Sequence, residues 1–120
     1  LTKLPLKFNN VHKSFDCSFN ELTTLEGSPK KVGGYFSCSY NNLVSLEHSP
    51  EYISDWFHAN NNNLKSLKGC PKYIGRYCNY ISNPLESLVG YDGEYDKIHC
   101  DDKEKLIRKT KLNKIFSYVR

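Results

Sequence analysis

The chain has 120 residues, with 17 Lys/Arg against 13 Asp/Glu for a net charge of +4 and 38% hydrophobic residues, the dimensions of one globular domain rather than two. No apolar run approaches the roughly 18 residues that a membrane helix requires, and Leu1-Thr2-Lys3-Leu4 lacks the basic-then-apolar layout of a secretion signal, so neither membrane insertion nor secretion is expected. Cys17, Cys38, Cys70, Cys78 and Cys100 make an odd set without a C-x-x-C pair, which reads as reduced thiols in a cytoplasmic protein.

A period of 21 residues organises the chain. In the first full unit, Phe15-Asp16-Cys17 alternates apolar and polar residues and predicts a short strand with one buried face. Asn20 then turns the chain out of the strand, Leu22 and Leu25 point into the interior, and Pro29 and Val32 bring the chain back in an extended or turn conformation. The same order recurs in Phe36, Cys38, Asn41, Leu43, Leu46, Pro50 and Ile53, and again in Phe57, Ala59, Asn62, Leu64, Leu67, Pro71 and Ile74. Strands at 36–38 and 57–59 stack on 15–17 as a narrow parallel sheet, and a 21-residue coil leaves no room for a long helix.

The fourth strand position holds Cys78 in place of Phe, and Asn83, Leu85 and Leu88 keep the register. Beyond them Asp92 stands where Pro is expected and the interval closes one residue short, so that Ile98–Cys100 is predicted as a last strand. Asp101 and Asp102 are placed to start a helix, because carboxylates there accept unpaired amides and face the positive end of the dipole. Leu112, Ile115, Phe116 and Val119 share one helical face while Leu106 and Ile107 point elsewhere, which predicts a bend near Thr110. Residues 1–100 therefore form the repeat body of about four and a half coils, and residues 101–120 a basic helical cap over its apolar end.

The unit F-x-C-x-x-N-x-L-x-x-L-x-x-x-P-x-x-V resembles leucine-rich repeats. Leu22-Thr23-Thr24-Leu25-Glu26-Gly27-Ser28-Pro29 and Val32-Gly33-Gly34-Tyr35-Phe36-Ser37-Cys38-Ser39 are similar to the short repeats found in tailed bacteriophages and some bacteria. The resemblance implies a leucine-rich-repeat-like solenoid that binds a protein, with a phage effector acting on a host or defence protein in the host cytoplasm as the particular expectation.

Strand parity identifies the surface for such binding. With Phe36 and Cys38 inward, one outward column reads Ser14, Tyr35, Trp56, Tyr77 and Lys97, and the next reads Asp16, Ser37, His58, Asn79 and His99. A third holds Ser18, Ser39, Asn60, Ile81 and Asp101, and Phe19 and Tyr40 lie on the rim. Three large aromatics in one column suit the centre of an interface, or equally a cross-strand stack that steadies a narrow sheet. The predicted protein-binding set is Tyr35, Trp56, Tyr77, His58, Asn79, Tyr40, Asp16 and His99.

Residues 101–120 carry seven basic and three acidic residues, which accounts for the whole net charge. Lys105, Arg108, Lys109, Lys111 and Lys114 supply the alternative, contact with nucleic acid phosphates, and an open strand edge supplies a third, self-assembly. No nucleophile elbow, phosphate loop or metal-ligand spacing occurs, and His58 and His99 lie two coils apart, so no enzymatic activity, cofactor, metal or small-molecule substrate is expected.

Overall fold

The computed structural model describes residues 1–119, with side-chain surroundings as far as Ile115. Its strands are two residues each: β1 (Phe15–Asp16), β2 (Lys31–Val32), β3 (Phe36–Ser37), β4 (Tyr52–Ile53), β5 (Phe57–His58), β6 (Tyr73–Ile74), β7 (Cys78–Asn79) and β8 (Ile98–His99). The five expected strands form one parallel sheet in the order β1-β3-β5-β7-β8, with Phe15, Phe36, Phe57, Cys78 and Ile98 side by side. Amide bonds extend the ladder past the strands, as in Cys17 N–H to Ser37 O and Phe19 N–H to Ser39 O, both 2.9 Å. The chain is a parallel solenoid whose turns repeat every 21 residues, closed at its C-terminal end by a helix.

The return path is more ordered than the sequence alone predicts. β2, β4 and β6 form a second parallel sheet, with Val32, Ile53 and Ile74 in one column and Val11 bridged to Val32. Glycine is required where coils approach most closely: a Cβ on Gly33 or Gly75 would collide with the carbonyl oxygen of His12 or Ser54 in the preceding coil. Between the sheets the Leu columns are sealed, with Leu22, Leu25, Leu43, Leu46, Leu64 and Leu67 at 0% exposure. Cys17, Cys38 and Ala59 line the same interior, and the fourth member of that column is Tyr80, also fully buried. Cys78 standing where other coils have Phe leaves volume that the Tyr80 ring fills, with an edge contact to Phe57 at 5.9 Å between centroids.

Each coil leaves the strand through a residue in the left-handed region, Phe19, Tyr40, Asn61 or Ser82, with φ between 57° and 60°. This turn frees backbone groups that the following Asn satisfies. Asn41 Nδ2 donates to Cys17 O and Cys38 O at 3.1 and 3.0 Å, and its Oδ1 accepts from Leu22 N at 3.0 Å. Asn62 and Asn83 repeat the arrangement one and two coils later.

The cap, α1 (Lys103–Val119), is one continuous helix, unbroken at Thr110. Leu106 and Thr110 are buried and Ile107 packs on the core, whereas Leu112 and Ile115 are 51% and 55% exposed. Of the two apolar directions noted in the sequence, the one with Leu106 and Ile107 docks while Leu112 and Ile115 do not; the side chains of Phe116 and Val119 lie outside the described residues. Thr110 explains the preference, because its hydroxyl accepts from Leu88 N at 2.9 Å and donates to Leu106 O at 2.7 Å. Asp101 does not cap the helix either. Its carboxylate accepts from Ser82 N at 2.8 Å, and the helix instead begins with Leu106 N donating to the carbonyl of Asp102.

Candidate functional site

The open face of the first sheet carries most of the predicted binding residues, and register sets their neighbours. Tyr35, Trp56 and Tyr77 are in contact along the column: Tyr35 stacks on Trp56 at 4.1 Å and 14°, and Trp56 lies 6.5 Å from Tyr77. Trp56 also stacks on His58 within its own strand, at 3.8 Å, and Tyr77 meets the edge of His99 at 5.2 Å. Tyr35, Trp56, His58, Tyr77 and His99 thus form a single chain of touching rings. Mutual packing leaves Tyr35, Trp56 and His58 half-buried.

Beside the rings the floor is polar and closely bonded. Asp16 accepts from Ser18 N and Oγ, Asn79 Oδ1 accepts from Ile81 N at 3.0 Å, and Ser39 Oγ donates to Asn60 Oδ1 at 2.5 Å. Ser37 and Ser39 are buried in this floor. On the far rim Phe19 stacks on Tyr40 at 4.5 Å and 8°, and the pair is 74% and 47% exposed. Phe19 is the largest exposed apolar side chain beside the sheet. Its place in the column of Tyr40 marked it as a rim residue, but only the left-handed turn explains why both rings stand clear of the surface.

His58 is the titratable group most affected by this packing. Desolvation lowers its pKa from the ordinary value near 6.5, against an upward pull from Asp16 and with a smaller downward push from His99, and its Nε2 is buried without a partner. The unfolded chain therefore binds the proton more tightly than the folded one, so stability rises with pH through the window between the lowered value and 6.5. Proton NMR should show the His58 ring titrating below 6.5, and in Trp56→Ala its midpoint should move back up as water reaches the ring. A midpoint at or above 6.5 in the native protein would mean that the ring is solvated.

The basic residues occupy another part of the molecule. Lys105, Arg108, Lys109, Lys111 and Lys114 are exposed on α1, interspersed with Leu112 and Ile115. The five cysteines are free, and burial raises their thiol pKa values, to about 12 at Cys17 and Cys78, to about 11 at Cys70, and upward at Cys38 and Cys100. Thiols so disfavoured as thiolates serve as small apolar side chains rather than nucleophiles. Among the described residues no three His, Cys, Asp or Glu side chains are grouped to hold a metal ion, and no helix is long and apolar enough to cross a membrane.

Comparison of the chain with protein-family models, with curated proteins and with solved structures gave no match.

Proposed function

We propose that the protein is a binding module of leucine-rich-repeat-like type that engages a partner protein through the open face of its first sheet. The observation that supports this reading is the run of touching rings from Tyr35 through Trp56 to Tyr77, bordered by a polar floor and by the exposed Phe19–Tyr40 pair. Rings already held by one another lose little freedom on association, which lowers the entropic cost of using them as anchors. Asp16, His58, Asn79 and His99 would supply the directional contacts between the two aromatic ridges. The similarity of the repeats to those of phage proteins favours a host protein as the partner and inhibition as the outcome, in the host cytoplasm.

Affinity measurements with the captured partner test this reading. Trp56→Ala should weaken binding by about 2 kcal/mol or more, with smaller losses for Tyr35→Ala, Tyr77→Ala and His58→Ala. Replacing Lys109, Lys111 and Lys114 by Gln should alter association rate and salt sensitivity while leaving most of the affinity. Binding that is indifferent to Trp56 and abolished by the three Lys changes would move the function to the cap and to nucleic acid. Melting temperature must be followed in parallel, because a Trp56 variant that fails to fold would reveal the ring column as a structural stack alone.

A further inference from the structure

The second sheet stops one strand early, and the reason lies in the fifth coil. Its return is shortened by one residue, and the segment that would pair with β6 instead folds into a 3-10 turn at Tyr95–Lys97. The coil is tied to its predecessor by Glu86 N to Lys65 O, Leu67 N to Val89 O and Cys70 Sγ to Gly90 O, and again by Tyr80 N to His99 O. Between those points β6 pairs with β4 alone. A cleft of about 530 Å³ opens there, lined by Lys72, Tyr73, Ile74 and Arg76 together with Cys70 and Tyr91.

What the edge lacks can be read from the preceding coils. Glu51 O accepts from Lys72 N and Tyr73 N at 3.1 Å, Ile53 O from Gly75 N at 2.9 Å, and Asp55 O from Arg76 N at 3.2 Å. In the opposite direction Val11 N donates to Lys31 O at 2.9 Å. Moved on by one coil, this pattern leaves Lys72 O, Ile74 O, Arg76 O and Ile74 N–H without strand partners among the described residues. Ile74 is only partly buried, where Val32 and Ile53 are 0% exposed, and Tyr73 is stacked by Tyr52 at 4.6 Å while 50% of it remains exposed.

Charge along the same columns selects the occupant. Lys30, Glu51 and Lys72 alternate in sign up one column, and Asp55 pairs with Arg76 at 3.2 Å in another. The open edge therefore ends on two cations that flank Ile74, both exposed. Asp92 and Glu94 lie on the opposite lip of the cleft, with Glu94 turned toward Lys97 at 4.0 Å.

We infer that the free edge of β6 accepts an extended peptide from a partner, adding a parallel fourth strand that carries a β-branched residue beside Ile74 and acidic residues opposite Lys72 and Arg76. Main-chain bonds supply affinity in such strand addition, and the side-chain column supplies selectivity. The site is separate from the aromatic face, so it stands or falls independently of the binding proposed there.

A suitable probe is a blocked peptide of sequence Pro-Glu-Tyr-Ile-Ser-Asp, identical to residues 50–55, the segment that already pairs with the inner side of β6. Titration followed by amide NMR should give saturable shifts at residues 72–76 and 90–94, slow exchange of the Ile74 amide at least tenfold, and leave Trp56 unmoved. Methylating the serine amide of the peptide, which would donate to Ile74 O, should weaken binding at least tenfold. Exchanging its two acidic residues for Lys should do the same, and the double variant Lys72→Glu, Arg76→Glu, at exposed sites, should reverse the preference in favour of the Lys peptide. The inference is overturned by an absence of shifts at millimolar peptide, by equal binding of the methylated form, or by shifts at Val32, which would show displacement of β4 instead.

Discussion

Leu64→Ala is expected to lower the free energy of unfolding by about 2–5 kcal/mol, enough to consume much of the stability of a domain this size. Leu64 is 0% exposed, with Leu43 before it and Leu85 after it in the same column. In a globular core the neighbours of a new cavity shift to fill part of it, and the cost falls accordingly. Here the neighbours above and below are locked at the coil spacing by backbone ladders on two sides, and the body is only 25 × 24 Å across. Little collapse is open to it, so the loss should lie in the upper half of the range. Leu85→Ala, at a partly buried position in the same column, should cost less. Urea titration with an unchanged m-value measures both, and a loss below about 0.5 kcal/mol for Leu64→Ala would show that the Leu columns do not carry the core.

Asn62→Ala should destabilise by about 1–3 kcal/mol although it removes almost no apolar surface. The amide of Asn62 donates to Cys38 O at 3.0 Å and Ala59 O at 3.2 Å, and accepts from Leu43 N at 3.0 Å. Truncation leaves the Leu43 amide unpaired in the interior, at a cost of about 1–3 kcal/mol, while Cys38 O and Ala59 O each lose one of two donors and keep Asn41 and Asn83. Asn62→Asp is the sharper variant. It keeps the size and the acceptor but loses the donor and brings a charge against two carbonyl oxygens, so it should be at least as damaging near neutral pH. Asn20→Ala should be milder, because Asn20 serves Cys17 O and Ser18 O within its own coil. Equal stability of Asn62→Ala and the native protein in the same titration would show that water replaces the amide.

The architecture was legible in the sequence because it is written several times over. Phe15, Phe36 and Phe57 recur at one interval with Leu and Asn columns in step, and a parallel stack is the only arrangement that puts equal residues side by side. Outward parity followed from the same columns, which is why Trp56 and His58 were placed on the open face. Their degree of exposure was not legible, since the contact at 3.8 Å between two rings of one strand depends on side-chain conformations that periodicity does not encode. The second sheet was missed for a related reason. One Val or Ile per coil between Pro and Gly gives no alternation to read, and the pairing of β2, β4 and β6 is produced by stacking rather than by local preference. In the cap, the helical wheel offered two apolar directions without choosing between them, and the bond from the Leu88 amide to Thr110 accompanies docking of the face of Leu106.

The Asn ladder gives the molecule a direction. Each Asn side chain serves the coil before it as well as its own, so in this ladder every coil takes a side-chain partner from its successor. Loss of material from the front removes backbone acceptors such as Leu22 O and Val32 O, which hold Asn42 N and Ser54 N, whereas loss from the rear uncovers Leu88 N and Ser82 N, the groups held by the side chains of Thr110 and Asp101. Length is constrained in the same sense: whole 21-residue units can be added or removed between Asn41 and Asn62 without changing any bonded partner type, while the last coil and its helix must be inherited together.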